Sequence, residues 1–176
     1  MTALRPEGET VTMPQPLGLF AGELLGRASE FADAFEVLDV ATSTRFLHSG
    51  FYLLSHSVEL GLKAFLAAKE VPKRKLWSRE LGHDLVALEV AANQRGLRPI
   101  ENLGHLVWSL SVMNEDHSLR YPAGYFEAVP APGECLEVVR ALLHAIAPTV
   151  ESQRLADRLM LAGDGRYTGK RIEWSD

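Results

Sequence analysis

The sequence predicts an all-α fold, an up-and-down bundle of five or six helices, and three observations carry that expectation. Apolar residues from Leu17 to Leu38 recur at i, i+3, i+4 and i+7, while Glu23, Arg27, Glu30, Asp33 and Glu36 keep to the other face. A second stretch, FYLLSHSVELGLKAFLAAK from Phe51 to Lys69, is apolar round almost its whole circumference, as buried helices are. No strand pair, internal repeat or low-complexity tract stands out in the rest of the chain. A length of 176 residues suits one domain with a self-sufficient core.

Each element follows from its own signals. Residues 1–16, with three prolines, read as an extended or mobile N-terminal arm. The first helix covers 17–38. Thr42 or Thr44 offers an N-cap for the second, which runs to about Lys69, and Pro72 marks its end. A loop rich in Lys and Arg follows. Asp84 opens a third helix that runs through Arg95 on the stripe Leu85, Leu88 and Ala92, with Gly96 where a C-terminal glycine belongs. Pro99 suits the first turn of a fourth helix, carried by Leu103, Leu106, Val107 and Leu110. Between Asn114 and Gly133 the periodicity fails, which predicts a loop of about twenty residues. Tyr121, Tyr125 and Phe126 favour an ordered, packed form of it. Leu136, Val139, Leu142, Leu143 and Ile146 define a fifth helix. Pro148 interrupts it or starts a sixth, whose Leu155, Leu159 and Met160 are expected to pack on the bundle. The helical domain is thus expected over 17–161, with residues 162–176 as a C-terminal tail.

Composition narrows the function classes. The formal charge of −5 gives no general attraction to phosphate backbones, so nucleic-acid binding has no support from net charge. The basic segment VPKRKLWSR, Val71 to Arg79, reads as a solvated loop, with a binding role as the lesser alternative. A single cysteine, Cys135, excludes an intramolecular disulfide and a cysteine-based zinc cluster, and no motif around it suggests a catalytic thiol. No signal peptide or membrane-spanning run is evident, so a cytoplasmic protein without membrane association is expected.

The second helix carries the only polar pattern that invites a site. Tyr52, His56, Glu59 and Lys63 fall within an arc of roughly 60° on one face, flanked by Leu, Val and Phe. So narrow a strip is expected to meet polar groups rather than bulk water along its whole length. Two nonperiodic segments supply them: Gly82-His83-Asp84 and Arg120-Tyr121-Pro122. Glu59 is expected to be largely buried and bonded to His83, Arg120 or Tyr121. Such a set either locks the fold as a polar network or lines a ligand or nucleic-acid pocket. Metal and cofactor chemistry find no pattern: HExxH is absent, and His56-x-x-Glu59 is a single reversed match to the ExxH arrangement. No GxSxG elbow or phosphate-binding glycine loop occurs either.

Taken in order, FYLLSHSVELGLKAFL, LGHDLVALEVAANQRGL and LRYP resemble the HEPN family of small α-helical domains over roughly residues 17–161. The resemblance implies a HEPN-like bundle that forms a homodimer. It further implies a non-catalytic binding or interaction module in a toxin–antitoxin, defence or RNA-linked system, with a nucleotidyltransferase or an antitoxin as the candidate partner. The alternative it carries is a metal-independent ribonuclease, since many HEPN domains pair an arginine with a histidine across four to six intervening residues. In this chain Arg140/His144 and Arg79/His83 have three residues between them. Arg98/His105 has six, with Pro99 in the place of the usual polar neighbour. In that reading Arg98, His105 and His83 are the catalytic candidates.

Overall fold

Six helices and one pair of short strands make up the residues that the computed structural model describes, namely 9–38, 46–115 and 131–175. The helices are α1 (Leu17–Val37), α2 (Leu47–Ala68), the one-turn α3 (Lys73–Leu76), α4 (Leu85–Asn93), α5 (Leu103–Glu115) and α6 (Pro132–Gly163). Strands β1 (Thr10–Pro14) and β2 (Arg171–Ser175) pair in parallel, with Val11 opposite Ile172 and Met13 opposite Trp174. The chain is therefore predominantly helical, with a two-stranded addition at one end.

Helix α2 lies at the centre because its sequence leaves it no wet face. Phe51, Leu54, Val58, Leu62 and Leu66 are fully or almost fully buried, and α1, α4 and α6 pack around them. Phe35 meets Phe51 edge-on at 6.2 Å, and the Ser57 hydroxyl donates to the Ala28 carbonyl at 2.7 Å. Late α1 thus faces early α2, and the two helices run antiparallel. The same holds for α1 and α6: the Gly18 amide donates to Asp157 at 2.7 Å, while Arg140 reaches Asp33 and Glu36 at 2.6 and 2.8 Å. Glycine permits the first of these approaches, since a Cβ at Gly18 would stand 2.5 Å from the Gln153 carbonyl oxygen. Helices α4 and α5 pair with each other and close the far side of α2, so the buried residues form one contiguous core.

Several boundaries differ from the sequence expectation, each for a local reason. Helix α2 begins at Leu47, after Phe46, and Thr42 and Thr44 lie outside the described residues. Helix α4 ends at Asn93, and Gly96 at φ +83° takes a hydrogen-bonded turn in which Leu97 N–H returns to Ala92 C=O. The fourth predicted helix starts at Leu103 rather than around Pro99, because Asn102 turns left-handed at φ +62° just before it. Pro148 neither interrupts α6 nor starts a new helix. It forfeits one backbone hydrogen bond, but Ile146 and Val150 on either side are fully buried and keep the helix continuous. Leu155, Leu159 and Met160 do not pack on the bundle; they are 56%, 64% and 74% exposed. The strand pair corrects the expectation that no strands pair: residues read as arm and tail meet at opposite ends of the chain. Most of the loop expected between Asn114 and Gly133, with Arg120, Tyr121, Tyr125 and Phe126, lies outside the described residues.

Candidate functional site: a buried carboxylate under an exposed histidine

Glu59 is 5% exposed and Lys63, one turn on, is 3% exposed, so both charged groups of the α2 stripe are inside the fold. The Lys63 ammonium donates to Glu59 Oε1 at 2.7 Å. In surroundings this dry the pair holds because each charge would be far costlier alone. His83 approaches the same carboxylate from the turn before α4, its Nδ1 lying 3.1 Å from each oxygen. A carboxylate only accepts, so Nδ1 carries the proton in this contact and Nε2 is turned outward. The His83 side chain is 79% exposed.

His56 extends the group along α2. Its Nδ1 lies 4.0 Å from Glu59 Oε2, its ring stacks on Phe31 at 5.5 Å, and Tyr52 meets it edge-on at 4.4 Å. The structure thus brings together Tyr52, His56, Glu59, Lys63 and His83. It does not bring in Asp84, whose carboxylate caps α4 by accepting from the Ala87 amide at 2.9 Å. Arg120 and Tyr121 lie outside the described residues. Sequence reasoning missed Phe31 and Ser57; a lone aromatic in an amphipathic helix and a serine in an apolar one read as ordinary core and surface choices.

Chemically, the arrangement fixes a histidine ring by a buried acceptor and presents its second nitrogen to solvent. Such a ring can accept or donate a proton or bind a polar ligand, and with α2 locked to the turn before α4 it also ties the fold together. Among the described residues no group of three or more His, Cys, Asp or Glu could hold a metal ion.

The arginine–histidine candidates lie elsewhere. Arg98 and His105 are both exposed. His105 opens onto a groove of about 610 Å³ between the starts of α5 and α6, where Glu101, Glu134 and Glu137 are among the lining residues and Arg98 is not. Cys135 also lines this groove, 3% exposed, and burial, with Glu134 beside it, pushes its thiol up to about 11. Arg140 is held by Asp33 and Glu36, whose hydrogen bonds raise its pKa further above that of a free guanidinium. No family model, curated protein or solved structure matches the chain. No described helix is long and apolar enough to cross a membrane.

Proposed function

We propose that the chain is a non-catalytic, HEPN-like interaction module that pairs with a second copy of itself and serves a toxin–antitoxin, defence or RNA-linked system. The resemblance of its motifs suggests the family role, and the observation that supports the pairing is the outward face of α6. Ser152, Leu155, Ala156, Leu159, Met160 and Ala162 are all exposed there, without a charge among them. Positions 148, 152, 155, 159 and 162 follow the four-three spacing of a helix–helix seam. Turned antiparallel about a two-fold axis near Leu155, the face would set Glu151 beside the partner's Arg158 on the same flank. Arg158 makes no ion pair among the described residues, and Glu151 has only Arg154, at 3.1 Å. A nucleotidyltransferase or antitoxin would then join the paired module on another surface.

The ribonuclease alternative is weaker on electrostatic grounds. Three carboxylates line the groove that His105 faces, and they would repel an approaching phosphodiester. Arg140 is already engaged by two acids of α1. Light scattering at tens of micromolar is expected to give a dimer, and Leu155→Arg a folded monomer. A monomeric wild type would overturn the pairing. Mixed single-stranded RNA is expected to survive incubation as well with the wild type as with a His83→Ala, His105→Ala double variant. Cleavage lost in that variant would establish the ribonuclease instead.

A further inference from the structure

The segment between α2 and α4 holds a surface that the proposed pairing does not use. Lys73, Arg74, Lys75 and Arg79 lie within seven residues that contain no acid. Arg74, Lys75 and Arg79 are exposed and make no ion pair among the described residues. In their midst Trp77 is 56% exposed, so the indole is open to a ligand that the cations would also reach. Its ring is not loose: Phe20 of α1 meets it edge-on at 5.5 Å. The Lys73 ammonium lies over the same Phe20 ring at 4.7 Å and donates to the Gln15 amide oxygen at 2.9 Å. Gln15 in turn donates to Glu23 at 2.8 Å, so the Lys73 head group is engaged in anchoring the turn. The three other cations are not so engaged. Helix α3 places Arg74 one turn before Trp77, on the same side.

We infer that this turn is a binding site for single-stranded nucleic acid, in which a base stacks on Trp77 while Arg74, Lys75 and Arg79 take the adjacent phosphates. A pre-held aromatic plane beside unpaired cations is the combination that sequence-tolerant single-strand binding uses. The net charge of −5 does not forbid it, because at physiological salt charges more than about 8 Å away are largely screened. The flanking acids are Glu70 and Glu80, one at each edge of the segment. A lipid surface fits less well: Val71 and Leu76 are buried, which leaves one indole and no apolar helix face to enter a bilayer. A duplex fits less well too, since its bases are already stacked and offer no face to Trp77.

The test is anisotropy of a labelled twelve-nucleotide uridine-rich RNA, titrated with full-length protein at several salt concentrations. Binding is expected at low salt. Trp77→Ala should weaken it by roughly 5- to 150-fold, the range that loss of one stacked base gives, and Trp77→Phe should recover most of it. Each of Arg74→Ala, Lys75→Ala and Arg79→Ala should lower the slope of log K against log salt by about 0.7. Leu155→Arg should bind as the wild type does, so this result is independent of whether the chain pairs. All four sites are exposed, and a circular dichroism spectrum verifies that each variant is folded. The inference is overturned if the RNA does not bind at low salt, if these substitutions leave binding unchanged, or if phosphatidylserine vesicles or duplex RNA bind more tightly than the single strand.

Discussion

Removing the Glu59 carboxylate would strand the Lys63 ammonium in a region where only 3% of its surface reaches water. Glu59→Ala is therefore expected to destabilise the fold by about 3–5 kcal/mol, read from urea unfolding. Replacing the pair together, as Glu59→Leu with Lys63→Met, should recover much of that loss, because no unpaired charge remains. Glu89 behaves differently. Burial raises its pKa despite a lowering hydrogen bond with Asn93. The folded state then holds this proton more tightly than the unfolded chain does. Its stabilisation is complete below the ordinary value near 4.5 and is lost as pH rises through the raised value. Glu89→Gln should thus raise the melting temperature slightly at pH 7 and leave it unchanged at pH 3.5. With its pKa pushed up to about 11, Cys135 should alkylate slowly at pH 8 and more readily only as the pH approaches that value. At this scale the sequence was informative about Glu59 and His83, since a narrow polar strip among Leu, Val and Phe must find donors. It was silent on Lys73, Phe20 and Trp77, whose meeting depends on how α1 lies against the α2–α4 connection.

The glycines of α1 separate close packing from mere helix propensity. A Cβ at Gly18 would meet Gln153 backbone at 2.5 Å, whereas one at Gly26 meets nothing within 4 Å. Gly18→Ala should cost about 1–3 kcal/mol by forcing α1 away from α6. Gly26→Ala should instead stabilise the protein by about 0.4–1 kcal/mol. The end of α2 offers a second contrast. Glu70 holds φ +62° while its N–H reaches the Ala67 carbonyl and Val71 N–H reaches Leu66. Glu70→Gly should raise stability by up to about 1 kcal/mol, because the left-handed residue then has no Cβ to strain. Thermal melts of the three variants check the signs. Elements with a sustained apolar period, α1 and α2 above all, were legible from spacing alone. Their ends were less so: Asn102, Pro148 and the turn to Gly96 depend on backbone geometry or packing that period does not encode.

At the scale of the whole molecule, a predominantly helical fold followed from the sequence because five stretches repeat the same apolar spacing. The parallel β1–β2 pair did not, since TVTMP and RIEWS are each too short to declare themselves and neither names its partner. Likewise the outward face of α6 has the apolar spacing of a packed helix, yet nothing among the described residues covers it. The strand pair has a consequence for how the molecule assembles and breathes. Thr10 and Arg171 are separated by about 160 positions, so their pairing closes a loop as long as the helical body itself. Two five-residue strands cannot meet that entropy until α1 and α6 have docked and brought their ends together. The pair should form last on folding and come apart first on partial opening. In native-state hydrogen exchange, the ladder amides of residues 10–13 and 171–175 are expected to exchange well before those of Leu54 to Leu66. An N-terminal truncation through Pro14 should leave the helical dichroism intact with only a small fall in melting temperature.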